Sequence, residues 1–226
     1  MTELLLKAGR VVDPASGHDD VADVRIVDGT VVELGPGLDT TGEVVDCAGL
    51  WVLPGFVDLH THLREPGFED AEDIATGSAA AAAGGYTAVA AMANTNPVSD
   101  TAAVAEMVAR RGEDVGLVHV RPVGAITVGL AGERLSEMGE LHDSAAQVDF
   151  FSDDGIPVGD SLMMRRALQY AARWDAVICN HSEDRALTAD AQMNEGRMSA
   201  LLGLPGWPRE AEEVMIARDL ILAAGL

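Results

Sequence analysis

The chain has 226 residues, enough to bury a sizeable core, and its 48% hydrophobic and 23% charged residues are the ordinary mixture of a globular domain. Thirty-seven acidic residues against 15 basic ones give a net charge of −22, which argues against nucleic-acid binding and against docking on anionic lipid. No apolar run reaches the length of a membrane span and no signal-peptide pattern is present. The two cysteines, Cys47 and Cys179, suit a reducing compartment, so the expected location is cytoplasmic.

Residues 1–50 read as short strands and tight turns, a small β-sandwich-like N-terminal layer. Leu4-Leu5-Leu6 and Arg10-Val11-Val12 flank Ala8-Gly9, and Val24–Val27 faces Val31–Leu34 across Asp28-Gly29, a hairpin signal. Val44-Val45-Asp46 adds another strand, and His18 is expected in a solvated polar loop. Lys7, in this layer, is the only lysine of the chain.

From residue 51 the pattern changes to alternating strands and helices, forming the second expected domain, 51–226. Strands are predicted at 52–60, 86–92, 116–121, 147–152 and 176–181. Helices are predicted at 69–83, 99–111, 133–143, 159–173 and 208–223. Glu69, Asp70, Glu72 and Asp73 would crowd the first helical turn, where they suit the helix dipole. Gly84-Gly85 supplies a stop, and Asp100/Thr101 and Asp160/Ser161 are candidate starts.

Successive βα units imply a parallel sheet with right-handed crossovers. A doubly wound sheet fits the length, because a complete eight-stranded barrel takes about 250 residues. Polar residues nevertheless recur at the C-terminal ends of four strands: His60/His62, Asn94, Asp153/Asp154 and His181. Barrels gather their chemistry from several strands at that rim, whereas open sheets concentrate it at one switch point. The expectation is therefore the first five βα units of a TIM-type (β/α)8 barrel, truncated.

The first strand carries the strongest chemical signal. Val57 and Leu59 suit a strand covered on both faces, and simple alternation puts Asp58, His60 and His62 on one face. Two imidazoles and a carboxylate on one face of an otherwise apolar strand are costly unless paired, and two histidines at a strand's end can grip a divalent cation. Asp153-Asp154-Gly155 alone is more often a turn, and a lone His181 is more often a cap or a core histidine. Both gain weight by following strands as His60 and His62 do. His119 and His142 have no partner motif, and Cys179 lies among apolar neighbours; core or surface roles suit all three.

The string Phe56-Val57-Asp58-Leu59-His60-Thr61-His62-Leu63-Arg64-Glu65-Pro66-Gly67 resembles the signature of bacterial class I dihydroorotase, in the amidohydrolase superfamily. Gly84-Gly85-Tyr86-Thr87, Met92–Val98, Phe151–Gly155 and His181-Ser182-Glu183-Asp184 are similar to further segments of that family, in the same order. Ala93 stands where proline is common.

The resemblance implies that His60 and His62 bind one metal, that Asp154 bridges to a second and that His181 binds that second ion. One or two Zn2+ ions are implied, with Arg64 and Asn94 holding the substrate carboxylate. A carbamylated lysine, the bridge of many relatives, has no candidate here because Lys7 lies in the β-layer. The implied reaction is reversible cyclisation of N-carbamoyl-L-aspartate to L-dihydroorotate in pyrimidine synthesis. Its general-base Asp is expected beyond Leu226, so the isolated chain is expected to be inactive. Partners under the same resemblance are a second copy or aspartate transcarbamoylase. The alternatives are a non-catalytic assembly partner of that transcarbamoylase and another cyclic amidase of the superfamily.

Overall fold

A computed structural model describes residues 2–226 and divides into two compact units, the first ending at Gly55 and the second running Phe56–Leu226. In the first, β1 (Glu3–Asp13), β2 (His18–Val27), β3 (Thr30–Gly35), β4 (Glu43–Asp46) and β5 (Trp51–Val52) form one sheet. Its order is β3-β2-β1-β4, with β5 also paired to β1. The two apolar runs around Ala8-Gly9 form a single strand with a register shift between Leu6 and Gly9, where Ala8 takes φ 59°. The β2–β3 turn puts Asp28 and Gly29 at φ 47° and 79°, the left-handed geometry that a two-residue hairpin needs. His18 does not sit in a loop; it opens β2 opposite Asp13. The predicted strand 52–60 breaks at Pro54-Gly55, and its first part pairs with β1.

The second unit is α/β. Its elements are β6 (Phe56–Thr61), α1 (Ile74–Ala83), β7 (Tyr86–Ala91), α2 (Ala102–Val115), β8 (His119–Pro122), α3 (Met138–Asp143), β9 (Phe150–Phe151), α4 (Ser161–Ala171) and β10 (Val177–Ile178). They continue through α5 (Arg185–Thr188), β11 (Met193–Asn194), α6 (Arg197–Leu202), β12 (Gly206–Trp207) and α7 (Glu210–Ala224). Strands β6, β7 and β8 pair in parallel in sequence order, and β9 pairs in parallel with β10. A parallel bridge, Gly124 to Phe151, carries the order from the end of β8 to β9. No strand order reverses along β6-β7-β8-β9-β10, so the crevice of a doubly wound sheet is absent among the described residues.

Helix α1 starts at Ile74, not 69. Asp73 caps it by accepting from Thr76 N–H at 2.7 Å, so the acidic run before it lies outside the helix and no acid occupies its first turn. Asp160 caps α4 in the same manner through Met163 N–H at 2.7 Å. Asp100 does not cap α2; its carboxylate accepts from Gly129 N–H at 2.8 Å.

The main core lies under the later strands, where Ile126, Met138, Leu141, Val148, Phe151, Val158 and Met164 are almost wholly buried. A second cluster joins Leu63, Ile74, Val89, Val108 and Val120 between α1, α2 and the sheet. β6 departs from the sequence expectation. It pairs only with β7 among the described residues, and Val57 and Leu59 are each 58% exposed, so it is an edge strand and not one covered on both faces.

Candidate metal centre

β6 does not alternate uniformly. Between Asp58 and Thr61 the register slips, so three steps along β6 pass opposite two along β7. Such a bulge re-aims side chains at the end of a strand. The Asp58 carboxylate accepts from the His60 backbone N–H at 3.0 Å, holding the irregular turn. His60 and His62 emerge from it with ring centroids 5.1 Å apart.

Asp154 comes from the loop after β9, whose shape is set by its neighbour. The Asp153 carboxylate is 2% exposed and accepts from Ile126 N–H at 2.7 Å, Thr127 N–H at 2.9 Å and the Thr127 hydroxyl. Burial pushes its pKa up, against those hydrogen bonds, which favour the carboxylate. With Asp153 facing inward and Gly155 at φ 81°, Asp154 is the member of the pair that faces the histidines.

The two oxygens of Asp154 are the meeting point. His60 Nε2 lies 3.3 Å from Oδ1, His62 Nε2 3.3 Å from Oδ2, and His181 Nδ1 3.5 Å from Oδ1. Ligand atoms of His60, His62 and Asp154 all fall within 4.8 Å of one another. His181 approaches from β10 and stands outside that trio, on the same carboxylate.

Each of two histidines is held at its other nitrogen. His62 Nδ1 is 3.1 Å from Asn94 Oδ1, while Asn94 Nδ2 donates to Asp154 Oδ2 at 3.1 Å. His181 Nε2 is 3.1 Å from Glu183 Oε2. An oxygen acceptor at one ring nitrogen puts the proton there and leaves the other nitrogen's lone pair facing Asp154. Lone pairs and carboxylate oxygens turned toward one another repel unless a cation lies between them. The donor set of imidazole nitrogens and one carboxylate therefore fits a divalent transition metal such as zinc.

Arg64 occupies the left-handed region at φ 62°, a conformation that costs a non-glycine residue roughly 1–2 kcal/mol. Its loop is tied down by neighbours. Glu65 accepts from Ile74 N–H at 2.9 Å, Asn96 N–H donates to Pro66 O at 2.9 Å, and a Cβ on Gly67 would lie 2.2 Å from Asn96 O. The guanidinium has no hydrogen-bond or ion-pair partner among the described residues, so it is free to meet an anion. Asn94 differs: its Oδ1 meets His62 and its Nδ2 donates to Asp154, a linking position that the sequence did not signal.

Glu183 and Thr188, to which the sequence assigns no role, join the site through His181. The Thr188 hydroxyl donates to Glu183 Oε1, and this bond, followed by the one to His181, holds the Glu183 carboxyl below the usual range. The sequence places a glutamate two residues after His181 but does not fix its partner. Cys179 lines a cavity of about 370 Å3 beside the cluster, together with His60, His181, Trp207 and Glu212, and burial raises its thiol pKa. His142 lies away from the cluster, 3.1 Å from Asp149, and His119 sits on β8.

Residues 49–226 match the family model described as dihydro-orotase-like. The chain is 58% identical over 209 residues to a dihydroorotase of Mycobacterium tuberculosis, covering 92% of this chain and 49% of that protein. It is 50% identical over 225 residues to a dihydroorotase of Syntrophobacter fumaroxidans, covering 97% and 51%. The chain thus spans about half the length of the curated relatives it matches. Among solved structures, L-hydantoinase (dihydropyrimidinase) from Arthrobacter aurescens superposes with a TM-score of 0.79 at 22% identity, over 100% of this chain and 51% of that one. At that identity the likeness shows a shared α/β fold and nothing finer. No helix among the described residues is long and apolar enough to cross a membrane.

Proposed function

This chain belongs to the dihydroorotase-like family, and we propose that it is part of a zinc-dependent dihydroorotase interconverting N-carbamoyl-L-aspartate and L-dihydroorotate in the cytoplasm. The observation that carries the proposal is the convergence of His60, His62 and His181 on the two oxygens of a single buried carboxylate, Asp154. His60, His62 and Asp154 would hold one ion, and Asp154 with His181 a second. A divalent cation held there supplies Lewis acidity, polarising a carbonyl and lowering the pKa of a water.

The chain's own residues then have distinct work. Arg64, unpaired on a fixed loop, binds the substrate carboxylate that the ring closure leaves untouched; a planar guanidinium suits it as a fork. Asn94, while holding His62 and Asp154, keeps a second amide N–H that can reach the same substrate carboxylate. In cyclisation the ureido nitrogen closes on the side-chain carboxyl, one C–N bond forms, and water leaves; hydrolysis reverses this. A base must move the proton between nitrogen and water, and in this proposal that base is an Asp outside residues 1–226.

The architecture belongs to the same proposal. Five parallel strands in unreversed order, β6 to β10, support a reading as the first five βα units of a TIM-type (β/α)8 barrel, preceded in sequence by a small N-terminal β domain. Pairing as a homodimer, or with aspartate transcarbamoylase, is part of the same proposal. The decisive experiment loads the full-length protein with zinc and follows dihydroorotate and N-carbamoyl-L-aspartate in both directions. Interconversion that disappears on zinc removal is the expected result. Inertness toward both compounds, with zinc bound, would sink the proposal.

A further inference from the structure

We propose that Glu183 is a positioning residue that fixes the ring and tautomer of His181, with Thr188 as its anchor; the inference rests on His181 being a metal ligand. The geometry leaves the glutamate little freedom. Its Oε2 meets His181 Nε2 at 3.1 Å and its Oε1 accepts from the Thr188 hydroxyl, so both oxygens are engaged. Its backbone N–H donates to His181 O at 2.9 Å, which curls the chain so that a side chain two residues on reaches back to the imidazole.

Thr188 is itself fixed. It is 7% exposed at the last position of α5, a single helical turn that would be marginal alone. That turn is held at its start by Asp184, whose carboxylate accepts from Ala186 N–H at 2.9 Å and whose N–H donates to Ala211 O at 2.9 Å, on α7. The short helix thus acts as a strut that ends in the hydroxyl holding Glu183.

The chemical consequence follows from the donor count. A carboxylate has no proton to give, so a neutral His181 carries its proton on Nε2 and presents the Nδ1 lone pair to the space shared with Asp154, 3.5 Å away. A second partner that orients a ligating histidine typically contributes 10–100-fold in metal affinity. Asn94 plays the corresponding part for His62, through the opposite nitrogen. The two clamps share no residue, and the Glu183–Thr188 pair makes no hydrogen bond to Asp154, so it can be removed while Asn94 keeps its hold on His62 and Asp154.

The test is zinc titration of the full-length protein against a competing chelator, with thermal melting followed in parallel. Glu183→Ala is expected to weaken one class of zinc site by 10–100-fold and leave the other unchanged. Glu183→Gln should recover part of that loss, because an amide oxygen still accepts from Nε2–H. Thr188→Val should weaken the same class less, and it serves as the milder variant if Glu183→Ala melts early. Wild-type affinity in both classes, or equal weakening of both, overturns the inference. His181→Ala is the control for the underlying assignment: if it too leaves every zinc class intact, His181 is not a ligand and the metal reading itself fails. If His181→Ala removes a class while Glu183→Ala and Thr188→Val do not, only the inference is lost.

Discussion

Asp153 and Asp154 differ by one position and by almost everything else. The first is turned inward onto three donors of the 126–127 loop, and the second faces three imidazoles. Removing one or the other should therefore produce different failures. Asp153→Ala leaves buried donors unmet and is expected to lower stability by about 1–3 kcal/mol, measured by urea unfolding of the full-length protein. Asp154→Asn should leave the unfolding midpoint nearly in place and abolish tight binding of a divalent metal; a variant that keeps its metal would show that the carboxylate is no ligand. If the proposed activity holds, His60→Ala should remove metal and activity together, and Arg64→Met should raise KM while metal content stays at the wild-type level. Loss of metal in the arginine variant would mean that Arg64 supports the metal and not the substrate. In the sequence, the strand-end histidines and the Asp pair are legible because a polar residue there is costly without a use. The clamps on them are not. Asn94, Glu183 and Thr188 are ordinary polar residues whose partners are fixed only by how the loops fold back.

Elements were legible where they are long and closed by a recognisable residue. Asp160 starts α4 where expected, and its side chain meets Met163 N–H. Asp160→Ala is expected to cost about 1 kcal/mol and Asp160→Asn much less, since asparagine caps nearly as well. Gly112 shows a constraint of packing: a Cβ there would lie 2.4 Å from Cβ of Val120, so α2 can approach β8 this closely only with glycine at that point. Boundaries failed where tertiary contacts override local pattern. The acidic run 69–72 resembles a helical first turn, but the chain is held in turns by Phe68 and Arg64, and Asp73 takes the cap instead. The predicted strand 176–181 shrinks to Val177–Ile178 because pairing with β9 lasts only two residues before both chains turn toward the site. Between 181 and 208 lie α5, β11, α6 and β12, each too short to leave a periodic signature.

At the scale of the whole molecule, apolar surface and charge oppose each other. In the second unit Val57 and Leu59 on β6 are each 58% exposed, and Leu220 and Ile221 on α7 are 66% and 73% exposed. A closed barrel has no free strand edge, so a β6 paired on one side is a template for further pairing. If the chain is half of a barrel, these surfaces are covered by the rest of the same protein, and the 226-residue chain alone should self-associate. The net charge of −22 resists that association at low ionic strength by holding copies apart. Salt screens such repulsion beyond a Debye length of about 10 Å at 0.1 M and leaves apolar contact intact. Sedimentation of the isolated chain should accordingly show larger species as salt rises from low to physiological concentration, and the full-length protein should show no such growth. Association that weakens with salt would place ion pairs, not edges and apolar faces, at the contact. A monodisperse isolated chain that unfolds in one cooperative transition at every salt concentration would remove the half-barrel proposal altogether.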